Sequence, residues 1–221
     1  MNLDIDKIKW YPLPETEYHK QEYQKNQITL HHMASGGTSK GDIDYWNSKD
    51  SPGKVAVAFA IDRDGTIWQA FSSKYYAAHL GTPTSTFTKF KINNSVDNLH
   101  KGSIAIELDS WGYLTKKDNK LYSYTGEEVK SMNVVTYEEG FRGQRYYEKY
   151  YYSQLLSLKD LIVYLCDMYK ISKEYQCDMW DVSANALSGK NGIYTHVSYR
   201  ESGKWDCHPQ KELINMLQNL K

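Results

Sequence analysis

Ser103-Ile104-Ala105-Ile106-Glu107-Leu108 reads as a β-strand with one residue out of place. Its nearly continuous apolar character marks a central strand covered on both faces. Glu107 is the exception, and a carboxylate in that setting needs a partner or a function, because taking an unpaired charge out of water is costly. A second strong strand lies upstream in Gln27-Ile28-Thr29-Leu30-His31, with Ile28 and Leu30 on one face. It runs into His32 and the polar loop Ser35-Gly36-Gly37-Thr38. A short helix is predicted around Asp42 to Trp46. Beyond it, the runs from Val55 to Ile61 and from Thr66 to Phe71 flank Asp62-Arg63-Asp64-Gly65. Asp-Gly between two such runs is a hairpin signal, because the turn needs a positive φ that glycine adopts without steric cost.

Helices follow the strands. From Tyr151 to Tyr169 the apolar positions Leu155, Leu158, Ile162, Leu165 and Tyr169 step by threes and fours, the stripe of an amphipathic helix. A last helix is predicted after His208, with Pro209 at its first position and Leu213, Leu217 and Leu220 on one face. Residues 112–150 are Tyr-rich and polar without a clear period, and read as irregular apart from a short hairpin near Leu121 to Tyr124. Residues 1–26, interrupted by Pro12 and Pro14, read as an irregular lead-in, which leaves 27–221 as one domain. Strands first and covering helices later predict a mixed α/β or α+β domain.

Composition bounds the function. With 221 residues the chain can bury roughly 70–75% of its unfolded surface, so neither metal nor disulfide is needed for folding alone. Lys and Arg together number 27, as do Asp and Glu, which argues against a strongly basic nucleic-acid binder. No apolar run approaches the roughly 18 residues of a membrane span, and the N-terminus lacks the pattern of a secretory signal. Synthesis in the cytoplasm without a signal peptide is the expectation. Cys166, Cys177 and Cys207 are odd in number and widely spaced, unlike a disulfide framework.

Catalytic zinc is held by two or three imidazoles with a carboxylate or thiolate on rigid elements, one coordination position being left open. Four places offer such groups: His31-His32, His79 in Ala78-His79-Leu80-Gly81, His196, and Lys204-Trp205-Asp206-Cys207-His208-Pro209. Asp62-Arg63-Asp64-Gly65 starts like a calcium loop but lacks the later acidic positions, and reads as a plain turn. His32 is expected to point away from His31 and to pack or hydrogen-bond.

Taken in order, these segments resemble the zinc-dependent N-acetylmuramoyl-L-alanine amidases related to phage endolysins and peptidoglycan-recognition proteins. The resemblance runs from about residue 27 to 217. It rests on the strand ending in His31, the Asp-Gly hairpin, Ala78-His79-Leu80-Gly81, the Ser103 to Leu108 strand, and His196 followed by Lys204 and Asp206. It implies an α/β fold, a single domain with a central mixed β-sheet flanked by α-helices, and a Zn²⁺ site in a groove at the strand ends. The implied reaction is hydrolysis of the amide between N-acetylmuramic acid and the L-alanine of the stem peptide. His31 and His196 match the family's histidine ligands, Glu107 its acidic residue beside the metal, Lys204 the basic residue facing the developing oxyanion, and His79 a substrate-groove position.

The third ligand is where the sequence departs from the family, which has Cys or Asp followed directly by Pro. The Lys-x-Asp spacing favours Asp206, with Cys207 and then His208 as alternatives. Adjacent residues of an extended segment point to opposite sides, so Asp206 and Cys207 are not expected to bind together. The strand before the hairpin has Ala58-Phe59 where many relatives have His-Tyr or His-Phe, which removes a phenol and places more of the proton transfer on Glu107. The expected partner is bacterial peptidoglycan or its muropeptides, with no nucleic acid and no membrane, for a monomer acting on the cell wall after release. The competing readings are a peptidoglycan-binding module that does not cut, and a zinc peptidase acting within the stem peptide.

Overall fold

The structure, a computed structural model, describes residues 8–48 and 53–220. Residues 1–7 of the expected lead-in, and Lys221, lie outside the described residues. The two strands that anchored the sequence reading, β2 (Gln27–His32) and β5 (Ser103–Leu108), pair in parallel, with His31 opposite Glu107. Every residue of both is buried except Glu107, which is half-buried. On the far side of β2 lies β11 (Gly192–Thr195), and on the far side of β5 lies β3 (Phe59–Ile61), both parallel to their neighbours. The hairpin partner β4 (Ile67–Gln69) is antiparallel to β3. β1 (Ile8–Trp10) pairs in parallel with β4 and completes the order β1-β4-β3-β5-β2-β11. That edge strand corrects the irregular reading of the lead-in: three residues are too few to show a period.

The Asp-Gly turn is held from outside. α4 (Tyr152–Tyr169) donates from Ser153 Oγ to Arg63 O (2.7 Å) and from Ser157 Oγ to Gly65 O (2.6 Å). The helix sits so close that a Cβ on Gly65, whose φ is +90°, would fall 2.7 Å from Ser153 O. Gln154 Nε2 donates to Ile61 O and Asp109 O, tying the helix to the ends of two central strands. The stripe Leu155, Leu158, Ile162 and Leu165 is buried as predicted.

The last helix, α6 (Lys211–Gln218), starts later than expected and excludes Pro209. Gln210 accepts from Tyr150 N (2.7 Å) and donates to Tyr150 O (3.0 Å), which keeps the segment before the helix extended. Leu213 and Leu217 are buried and Leu220 partly so. The remaining helices are α1 (Ser39–Trp46), α2 (Thr84–Phe90), α3 (Val96–Gly102) and α5 (Ala184–Leu187).

Residues 112–150 are where the sequence reading needs most correction. They form a five-stranded antiparallel sheet of order β8-β7-β6-β10-β9. Its strands are β6 (Tyr113–Lys117), β7 (Lys120–Tyr122), β8 (Glu128–Val129), β9 (Val134–Phe141) and β10 (Gln144–Glu148). β6 and β7 turn through Asp118 and Asn119, with φ of +49° and +60°. Arg63, in the hairpin turn of the first sheet, joins the two sheets. It binds Asp109 (2.6 Å) beyond β5 and makes a fork of 2.9 and 2.8 Å on Glu148 at the end of β10. The whole is a single domain of mixed sheets flanked by helices.

Candidate active site

Because β3, β5, β2 and β11 run the same way, their carboxyl ends share one edge, the place where parallel sheets offer side chains to a ligand. His31 and Glu107 occupy one row of that edge. Thr195 pairs with Leu30, so His196 leaves β11 in the next row beside His31. Asp206 arrives from a loop that is fixed by a hydrogen bond from Val197 N to Asp206 O (2.9 Å).

The three side chains converge. His31 Nδ1 and His196 Nδ1 are 2.9 Å apart, and Asp206 Oδ2 lies 3.2 Å from the first and 2.9 Å from the second. The opposite ring nitrogens are committed elsewhere. His196 Nε2 is 2.7 Å from Leu80 O, which can only accept, so Nε2 carries the proton. Ser103 Oγ donates to Leu99 O (2.6 Å) and therefore accepts from His79 Nε2 (2.8 Å). His79 Nδ1 is left to accept from His31 Nε2 (3.0 Å). Both imidazoles are thus engaged through Nε2 and leave Nδ1 facing the carboxylate, and three potential electron-pair donors so placed are complementary to a cation. Two nitrogens and a carboxylate oxygen beside an open groove suit zinc.

Electrostatics agrees with the geometry. Burial, and then the neighbouring His196, push His31 down to about 4, so it is uncharged at neutral pH. Burial alone would raise Asp206, but it is outweighed by the adjoining His196 and His31, which hold the carboxyl well below the usual range. Glu107 behaves in the opposite way: burial, and then the charge of Asp206, push it well above the usual range against the opposing Lys204. Its Oε2 has no hydrogen-bond partner among the described residues. The anomaly in the strand is therefore not a structural ion pair.

The other expected residues fall in different places. Lys204 lines the same groove as His31, Glu107, His196 and Asp206. His79 also lines it, yet both of its ring nitrogens are engaged by His31 and Ser103. Cys207 is fully buried, its thiol pushed up by burial and then by Asp206. His208 is fully buried too, accepting from Tyr137 (2.8 Å) and donating to Glu148 O (3.0 Å). His32 is 2.9 Å from the Tyr150 hydroxyl, away from the cluster.

Several residues that sequence reasoning missed hold the loop that carries Asp206. Arg142, at the tip of the β9–β10 hairpin, donates from Nε to Lys204 O (2.9 Å), bonds Arg200 O, and pairs with Asp181 (2.9 Å). Trp205 Nε1 donates back to Arg142 O (3.0 Å). The rings of Tyr147 and Tyr150 lie 4.7 and 4.4 Å from that of His208, and Tyr113 lies 4.9 Å from Trp205. The available signal was Gly140-Phe141-Arg142-Gly143, a hairpin tip with positive φ at 140, 142 and 143.

A buried pair of imidazoles and a carboxylate at the ends of parallel strands, next to an unpartnered glutamate, forms a possible metal site on a mixed sheet. The N-acetylmuramoyl-L-alanine amidase family matches residues 21–209, and the chain belongs to that family. It is an enzyme that hydrolyses the amide between N-acetylmuramic acid and L-alanine in bacterial peptidoglycan. Solved structures share the fold. PlyL aligns with a TM-score of 0.55 at 16% identity, covering 97% of this chain and 98% of its own. The catalytic domain of XlyA gives 0.53 at 15%, covering 96% of each. The amidase LysC from Clostridium intestinale gives 0.50 at 15%, covering 96% of this chain and 99% of its own. No curated protein matches the chain.

Proposed function

We propose that His31, His196 and Asp206 hold a catalytic Zn²⁺ ion, that Glu107 moves the proton, and that Lys204 faces the developing oxyanion. The observation that carries this reading is the convergence of two Nδ1 atoms and Asp206 Oδ2, with each imidazole oriented through its other nitrogen. Zinc bound by such a set supplies Lewis acidity toward a carbonyl oxygen and lowers the pKa of water to about 7. Glu107, without a structural partner and with a raised pKa, accepts the proton of the attacking water and returns it to the leaving alanine amine. Positioned groups of this kind are worth about 10² to 10⁴ in rate. Lys204 adds a fixed positive charge where negative charge develops. In this reading His79 orients His31 rather than binding substrate, because neither of its nitrogens is left for a ligand.

The role that fits these parts is bacteriolytic, endolysin-like cleavage of the cell wall by a protein reaching it after release. All five groups come from one chain, so a monomer suffices. Among the described residues no helix is long and apolar enough to cross a membrane. The test is zinc content measured together with release of alanine amino termini from purified peptidoglycan, for the wild type and Glu107→Ala. One zinc in both proteins, with new termini only from the wild type, supports the assignment. Cleavage elsewhere in the stem peptide would favour the peptidase reading, and binding without zinc or cleavage the recognition module.

A further inference from the structure

Beside the reacting cluster stands an aromatic corner that the proposed chemistry does not use. Trp111 and Tyr124 line the same groove of about 380 Å³ as His31, Glu107 and Asp206, and Tyr113 and Trp205 continue the wall toward Lys204. Trp111 packs directly on Gly36. Its indole lies so close over Gly36 that a Cβ there would fall 1.7 Å from the ring. Its backbone N–H donates to Glu148 (2.5 Å), the carboxylate already forked by Arg63.

Tyr124 stands nearly perpendicular to that indole, with the ring centroids 6.4 Å apart and an interplanar angle of 75°. It is 66% exposed, yet it rises from a turn that is closed on the buried Ser123. Ser123 N donates to Glu127 O (2.9 Å), Gly126 N to Ser123 O (3.0 Å), and Glu127 N to Ser123 Oγ (3.1 Å). An exposed ring on so well tied a backbone, set against an indole packed on Gly36, is preorganised for contact.

The chemistry of the corner narrows its occupant. Apart from the reacting groups, the groove lining among the described residues carries no Asp, Glu, Lys or Arg, so a charged peptide side chain finds no counter-ion at the corner. Flat aromatic faces beside a phenol hydroxyl suit the C–H faces and hydroxyls of a neutral pyranose. The reaction also brings sugar to this groove, since the acyl side of the scissile amide hangs on a muramoyl ring from which a glycan strand continues. We infer that Trp111 and Tyr124 form a saccharide subsite for the pyranose next to the muramoyl residue being cleaved, so that the enzyme reads the glycan strand as well as the amide. This inference rests on the amidase activity.

The experiment compares two substrates, a muramoyl peptide with a single sugar and a tetrasaccharide carrying the same peptide. For Tyr124→Ala, KM on the tetrasaccharide should rise about five- to tenfold, the range expected for loss of one aromatic contact. Its kcat, and its KM on the single-sugar substrate, should stay within about twofold of the wild type. Tyr124→Phe should restore most of the difference, and Tyr152→Ala, exposed on α4, should change nothing. As a binding readout, peptide-free glycan should quench tryptophan fluorescence of the wild type and not of Trp111→Ala. An equal change on both substrates, or none on either, overturns the saccharide subsite. Failure of the wild type to cleave either substrate would instead remove the amidase reading beneath it.

Discussion

The six-stranded sheet presents the groups proposed to react through backbone register. His31 and Glu107 share a row of paired strands, and His196, leaving β11 just after Thr195, comes in beside His31 in that same row. The five-stranded sheet contributes none of these groups and reaches the site through side chains instead. Arg142 grips the backbone at 200 and 204, Tyr137 and Tyr147 hold His208, and Tyr113 lies against Trp205. Position set by register changes only in whole residues, whereas position set by side-chain contacts can loosen by fractions of an ångström. Substitutions at the strand ends should therefore abolish function, and substitutions in the second sheet should grade it.

The sharpest division comes from Asp206→Ala, which should lose both zinc and activity, by about 10³-fold or more in kcat/KM, as expected when a ligand and its electrostatics go together. Metal analysis beside the amine-release assay checks it, and a variant that keeps a full zinc would hand the ligand role to a neighbour such as Cys207. Glu107→Gln should keep the metal and lose about 10² to 10⁴ in kcat. The acid limb of the wild-type rate profile should also sit above the ordinary carboxylate value of about 4.3, since the ionised form is the base and its pKa is raised.

Arg142→Ala should be milder, lowering kcat about tenfold with zinc retained, because a loop displaced by well under 1 Å costs less than the roughly 10² of a full misplacement. If that variant matches the wild type, the second sheet does not position the loop. The smallest expected effect concerns stability. Burial pushes Asp109 up to about 7 against the opposing Arg63, so the folded chain binds more protons there than the unfolded one between about pH 4 and 7. This group's contribution to stability accordingly falls as pH rises through that window. Asp109→Asn should flatten that part of a Tm-against-pH curve, and an unchanged slope would contradict the assignment.

The difference between the sheets also explains what could be read from the sequence. β2 and β5 are buried on both faces and announce themselves as apolar runs, in which His31 and Glu107 stand out as anomalies. β9 has no fully buried residue, and β6 carries Thr115, Lys116 and Lys117 into solvent. Strands wetted in this way lack the apolar period, and only turn residues such as Asp118-Asn119 and Gly143 betray them. Spacing favoured Asp206 among Asp206, Cys207 and His208, and what holds His208 away from the cluster was not legible in it. Tyr137, Tyr147 and Tyr150 keep His208 among rings that no local pattern connects to it.

Residues 113–148 are contiguous, so on paper they resemble a cassette that recombination or a designer could lift out. The fork between Arg63 and Glu148 argues otherwise. Excision would strip Arg63 of one of its two carboxylates, free the Trp111 backbone from its anchor, and uncover His208 by removing Tyr137 and Tyr147. Exchange of this segment between relatives should therefore succeed only when the arginine of the distant hairpin turn travels with it.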